Sequence, residues 1–251
     1  MAQAPRAFNR DIHSNRNQVF YGTDDGSQDG SFGEFPDFIQ HYEGVSQERK
    51  DDIHMISVVG GLYGLNMIPL WKPKKLTIFD INPMGIVYFT LIHRVWVTSN
   101  SSDHFLMRLE TMDYEVHTED EKWVQENISL KSKGMLPRSR GSSKRSFYLS
   151  WKYALDNFEV TKSILQGPLE IRTEPMESES FSQMIRSQNN SWIYASNITQ
   201  FHYFDLEFED PSNCVMLQII HPEQPQLLDI SEYAGKKVKV KFQIPMYVEE
   251  M

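Results

Sequence analysis

Residues 53–83 read IHMISVVGGLYGLNMIPLWKPKKLTIFDINP, and the order of signals in this stretch decides the fold. Ile53 to Val59 is a compact apolar run that ends in Gly60-Gly61, as a buried parallel strand would. Leu62 to Leu70 predicts a short helix stopped by the Pro73 region. Leu76-Thr77-Ile78-Phe79-Asp80 predicts a second buried strand carrying an acid at its carboxyl end. Asn82 can cap the next helix, and Pro83 takes the favoured first helical position. That helix, Met84 to Val97, is apolar nearly all round and is expected to be buried.

Working outward, residues 1–34 are polar and turn-rich and read as an arm or lid, with Phe35 to Val45 as a short helix after it. The stretch 99–146 reads as an insertion or long loop with some helix. Phe147, Trp151, Ala154, Leu155, Phe158 and Leu165 recur at helical spacing, which predicts one long amphipathic helix over 146–166, ended by Gly167-Pro168. Further strands are expected at Leu169 to Thr173, Trp192 to Ala195 and Cys214 to Ile220, with a helix at Phe181 to Arg186. Finally Val238, Val240, Phe242 and Ile244 alternate with Lys237, Lys239, Lys241 and Gln243, the pattern of a half-exposed antiparallel edge strand. Alternating strands and helices predict an α/β fold: a Rossmann-like, mostly parallel sheet flanked by helices, closed by an antiparallel C-terminal edge strand, in one domain over 35–251.

Composition agrees with a folded domain: 251 residues, 40% hydrophobic and 12% aromatic, leave ample material for a core. A formal net charge of −9 argues against nucleic acid as the partner. The single cysteine, Cys214, cannot form an internal disulfide, which fits a reducing, cytoplasmic setting. The most apolar stretch, Met55 to Trp71, is broken by three glycines, Asn66 and Pro69, so it does not read as a membrane span.

Strand, glycine turn, helix, strand, acid is an order that suits a ribose-containing ligand. Glycines let the backbone turn sharply and approach a ligand closely, and an acid ending the second strand can accept from both ribose hydroxyls. Gly60 and Asp80 are twenty positions apart, as that geometry expects. The pattern Gly60-Gly61-Leu62-Tyr63-Gly64 is not G-x-G-x-x-G, and Leu62 and Tyr63 leave less room for a pyrophosphate. A nucleoside without phosphates, S-adenosylmethionine, is therefore favoured over NAD or FAD. The plainer alternative is that the glycines only permit a tight turn and Asp80 only caps the following helix. Ser196-Asn197, after the fourth strand, falls where ligands gather in open α/β sheets and could orient the reacting part of a substrate. Glu174, after the third strand, is placed to meet an adenine amino group or a ribose edge, with Glu177 and Glu179 equally near.

The stretch ISVVGGLYGLNMIPLWKPKKLTIFDINPMGIVYFTLIHRVW resembles the S-adenosylmethionine site of class I methyltransferase-fold proteins. Within that group it is most similar to the 3-amino-3-carboxypropyltransferase branch, which includes betaine-lipid enzymes acting on diacylglycerol. Gly60-Gly61, Asp80-Ile81-Asn82-Pro83 and Ser196-Asn197 carry the resemblance. It implies that Asp80, with Ile81 and Asn82 beside it, holds the ribose, and that the glycine turn faces the methionine part of the cofactor. Ser57-Val58-Val59 stands where the common methyltransferase signature has an acid before its glycines.

These readings predict an S-adenosylmethionine-dependent transferase that moves an aminocarboxypropyl or methyl group to a small-molecule acceptor. Ser196 and Asn197 would lie nearest the reacting groups. Tyr21, with Asp24-Asp25, could fold over the cofactor as a lid. Lys131 to Arg145, holding six basic residues, is either a solvated loop or a grip for an anionic or lipid-like substrate. The scattered histidines show no metal-ligand spacing, so no metal is expected. Two rival classes remain: a non-catalytic Rossmann-like interaction module and a nicotinamide-dependent oxidoreductase.

Overall fold

A computed structural model describes residues 35–59, 62–127, 151–176, 178–187, 190–195, 204–212, 214–219, 225–242 and 246–251. Helices α1 (Phe35–Gly44) and α2 (Gln47–Lys50) precede β1 (His54–Val58). A 3-10 turn (Tyr63–Asn66) runs into α3 (Met67–Trp71), followed by β2 (Lys75–Asp80) and the long α4 (Pro83–Thr98). Next come α5 (Ser102–Thr111), α6 (Glu119–Asn127), α7 (Lys152–Asp156), α8 (Phe158–Leu165), β3 (Leu169–Thr173), α9 (Glu179–Ser187) and β4 (Ser191–Tyr194). The remaining elements are β5 (Phe204–Phe208), β6 (Cys214–Ile219), β7 (Pro225–Asp229), β8 (Val238–Phe242) and β9 (Tyr247–Glu250).

Six strands form one sheet in the order β3-β2-β1-β4-β6-β7, parallel except for β7 at the edge. The expected mostly parallel sheet with an antiparallel edge strand is thus present. The edge role belongs to β7, however, and not to the lysine-rich strand. Val238–Phe242 is instead the middle strand of a separate antiparallel sheet, β5-β8-β9. Its lysines are matched by acids on its neighbours: Lys241 bridges Asp205 at 2.8 Å, Lys239 bridges Glu207 at 3.0 Å, and Lys241 also lies 3.6 Å from Glu249. A wet face lined with one sign of charge therefore marks here a central strand between two acidic ones.

Strand alternation sends the two faces of the large sheet into different cores. Met55, Leu76, Ile78, Trp192, Tyr194 and Val215 pack against α1, α3, α4 and α8. Ile56, Phe79, Ile193, Ala195 and Cys214 pack against α9 and the inner face of the small sheet. The molecule is layered as helices, large sheet, then α9 with the small sheet.

Two expectations change. The helix anticipated over 146–166 is broken, within its described part, at Asn157, whose φ of −113° and ψ of 39° are not helical. Asn157 Nδ2 donates to Tyr153 O at 2.9 Å and its carbonyl accepts from Thr161 N at 3.0 Å, so local bonds stabilise the break. The apolar residues Trp151, Ala154, Leu155, Phe158 and Leu165 are still all buried. The described part of 99–146 is also no mere appendage: Phe105, Leu109 and Val124 belong to the main core. The basic run Lys131 to Arg145 and the arm 1–34 lie outside the described residues. Among the described residues, no helix is long and apolar enough to cross a membrane.

Candidate functional site

The carboxyl ends of β1, β2, β3 and β4 lie side by side, because the four strands are parallel and in register. The strand order reverses at β1, with β2 and β3 on one side and β4 and β6 on the other. In open α/β sheets such a switch point, on the carboxyl side, is where ligands bind.

At the end of β1 the ladder continues, with Val59 N–H donating to Phe79 O at 2.9 Å. Leu62 N–H returns to Val59 O at 2.8 Å, closing the turn that contains Gly60-Gly61, which themselves lie outside the described residues. Leu62 is left-handed (φ 61°, ψ 17°), a conformation that costs a non-glycine residue about 1–2 kcal/mol. Its side chain is buried in the helical core, and that burial offsets the strain. Tyr63 begins the 3-10 turn and is buried with its ring centroid 6.2 Å from that of Tyr194, the last residue of β4. Both rings belong to the core on the helical face of the sheet.

Gly64 fixes this arrangement. A Cβ there would lie 2.3 Å from Ser57 Oγ and 3.0 Å from Tyr194 Cδ1, so only glycine lets the turn settle against β1 and β4. Gly61 and Gly64 have the spacing of the last two glycines in G-x-G-x-x-G, of which the final one serves close helix–strand packing. Asn66, fully buried, ties the turn down further: Nδ2 donates to Tyr63 O at 3.1 Å, and Oδ1 accepts from Ala154 N in α7 at 3.1 Å. Neither role was read from the sequence. The Gly61–Gly64 spacing was the available signal for the first.

At the end of β2, Asp80 is 9% exposed. Its Oδ1 accepts from Asn82 N at 2.8 Å, and Asn82 Oδ1 accepts from Met84 N at 2.9 Å. The expected cap is therefore Asn82, with Asp80 ordering the approach to it. Gly85 sits against the carboxylate, where a Cβ would come 2.9 Å from Asp80 Oδ2. Ile81 and Asn82 are half-buried beside it.

Asp80 is paired with Thr173 of β3, which places Glu174 at the same end of the sheet. Arg172 donates to Glu174 Oε1 at 2.8 Å and Ser178 Oγ donates to Oε2 at 2.6 Å, while Ser178 Oγ accepts from Phe181 N at the start of α9. Burial works against the charged form of Glu174, but the bonds from Ser178 and Arg172 hold its carboxyl below the usual value. Glu174 is thus a fixed anion rather than a free acceptor.

Leu62, Tyr63, Asp80, Ile81, Asn82 and Glu174 accordingly share one end of the sheet. Ser196 and Asn197 lie outside the described residues, as does Tyr21; the described part of β4 leads up to them through Ala195. Among the described residues, no three His, Cys, Asp or Glu side chains gather in a way that would hold a metal ion. An open groove of about 580 Å³, lined by Arg94, Thr98, Arg108 and Tyr114, lies toward the other end of α4. A helix of this length separates it from Asp80 by roughly 20 Å. No protein-family model matches the sequence, and no curated protein matches it.

Proposed function

We propose that the chain is an S-adenosylmethionine-dependent transferase that moves an aminocarboxypropyl or methyl group to a small-molecule acceptor in the cytoplasm. The observation that carries this reading is the buried Asp80 carboxylate at the end of β2, one strand from the glycine turn. A carboxylate at this position suits the two ribose hydroxyls, and Gly64 and Gly85 keep the surrounding backbone close. When bound, S-adenosylmethionine supplies a sulfonium leaving group, so little acid–base chemistry is asked of the protein. The chain's own residues bind and orient: Asp80 with Ile81 and Asn82 at the ribose, Leu62 and Tyr63 beside Gly60-Gly61, and Glu174 toward the adenine side. Ser196 and Asn197 would hold the acceptor in line with the attacked carbon, where alignment supplies much of the rate. Tyr21 would close over the site, and Lys131 to Arg145 would serve an anionic or lipid-like acceptor.

Calorimetric titration of S-adenosylmethionine into wild type and Asp80→Asn, followed by chromatography of the incubated cofactor, tests the reading. The asparagine keeps an oxygen for Asn82 N–H but loses the charge, so binding should weaken about 10- to 100-fold. Methylthioadenosine would identify aminocarboxypropyl transfer, and S-adenosylhomocysteine methyl transfer. A second reading, a non-catalytic interaction module, is favoured by the engagement of Asp80 Oδ1 with Asn82 and by the closely set rings of Tyr63 and Tyr194. Folded wild type that binds no S-adenosylmethionine would leave that reading standing.

A further inference from the structure

Strand β3 ends the large sheet, and among the described residues nothing pairs with its outer side. Its sequence, Leu169-Glu170-Ile171-Arg172-Thr173, is short and carries an aliphatic residue at its centre that is 40% exposed. Along a strand, successive residues point their N–H and C=O groups to alternate sides. Leu76 is paired with Leu169 and donates to Pro168 O at 3.0 Å, so residues 168, 170 and 172 turn their backbone groups toward β2. Leu169, Ile171 and Thr173 therefore present three N–H and three C=O groups to the open edge.

We propose that this edge pairs with a second copy of the chain, β3 against β3 in antiparallel fashion, about a two-fold axis at Ile171. In that register Ile171 faces its own copy and exchanges both backbone bonds with it, while Leu169 faces Thr173 of the second copy. The side chains agree with the symmetry. Glu170 falls opposite Arg172 of the second copy, and Arg172 opposite its Glu170, so both cross-strand pairs join opposite charges. Two like charges at 170 and 172 would repel a symmetric partner, which is how exposed edges are commonly protected. The two residues already bridge each other within the chain at 2.7 Å, so their heads are held on one face, ready to be shared. Glu170 also lies 3.3 Å from Lys75, and Arg172 2.8 Å from Glu174. Pairing would join two six-stranded sheets into one continuous sheet of twelve. The inference does not depend on the cofactor reading.

Sedimentation velocity on the full chain over a range of concentrations tests it. Wild type should associate to a dimer. Glu170→Arg alone and Arg172→Glu alone should each weaken the dimer by about tenfold or more, because both symmetric pairs become repulsive. An equimolar mixture of the two variants should restore a dimer, since each supplies the charge the other lacks. The double exchange Glu170→Arg with Arg172→Glu should dimerise like wild type. Circular dichroism confirms folding. If a single reversal unfolds the chain, Ile171→Pro decides the matter, because the N–H it removes points away from β2, so the monomer should stay folded while dimerisation is lost. A wild type that stays monomeric at every soluble concentration would overturn the proposal, as would a dimer indifferent to all these changes.

Discussion

The two ends of the large sheet are built on opposite plans. At the amino end, polar groups are consumed by one another. Asn190, left-handed at φ 54°, accepts from His54 N at 3.1 Å through its carbonyl, donates through Nδ2 to Arg49 O at 2.9 Å and Asp51 O at 2.6 Å, and accepts from Trp192 Nε1 at 2.8 Å. Arg49 forks onto both oxygens of Asp229, tying α2 to the end of β7. At the carboxyl end, chain approach is governed by missing side chains, Gly64 against Ser57 and Gly85 against Asp80, with a strained leucine between strand and turn. One end is stapled by paired polar groups; the other brings backbone and a carboxylate close together through glycines.

That contrast can be broken most severely at Gly64. Gly64→Ala drives a Cβ into Ser57 Oγ and against the Tyr194 ring and should cost about 3 kcal/mol in urea unfolding, and adding Ser57→Ala should recover much of that loss. Next comes acid. His54, 3% exposed and bonded through Nε2 to Thr77 Oγ1 at 2.8 Å, has its pKa lowered to about 4. Burial is the main cause, with Lys75 and Arg172 adding to it and Glu170 opposing it. Because the folded value lies below the unfolded 6.5, the unfolded chain binds the extra proton. The neutral ring's contribution is complete above about pH 6.5 and is lost as the pH falls toward 4, by up to roughly 3 kcal/mol. Unfolding midpoints of wild type and His54→Leu across that window should diverge in slope; parallel curves would exclude His54 as the source.

Smaller effects sharpen the comparison. Asn190→Ala removes three side-chain bonds at the amino end and should cost about 2 kcal/mol without altering S-adenosylmethionine affinity, measured by calorimetry. Lys72, left-handed at φ 49° just after α3, is exposed, so Lys72→Gly should raise stability by about 0.5–1 kcal/mol. A fall in the thermal midpoint would show that Lys72 makes an unrecognised contribution.

Legibility followed locality. β1, β2 and the Asn82-Pro83 start of α4 are written in runs and caps within about thirty residues, and they stand as the sequence predicts, whereas the helix expected over Leu62 to Leu70 is a 3-10 turn over Tyr63–Asn66 followed by α3. β5 was missed although Phe204, Leu206 and Phe208 alternate inward, because its partner β8 lies far along the chain. Without that partner the lysines of β8 look like protection for an edge. Asp80 was legible as an acid ending a strand, whereas the need for glycine at 64 and 85 exists only once Ser57, Tyr194 and the Asp80 carboxylate have been brought together. Glu174 was legible as a position, but its fixation by Arg172 and Ser178 was not.

Asn66 gives the glycine turn a dependence on time. The amide that steadies Tyr63 also accepts from Ala154, 88 residues later, and β1 gains its second neighbour only when Ser191 arrives. During synthesis at about 5–20 residues per second, the ribosome must add more than a hundred residues before the turn has all its supports, a wait on the order of ten seconds. Until then the apolar segment 53–83 lacks part of the surface that buries it, so this stretch of the nascent chain calls for shielding.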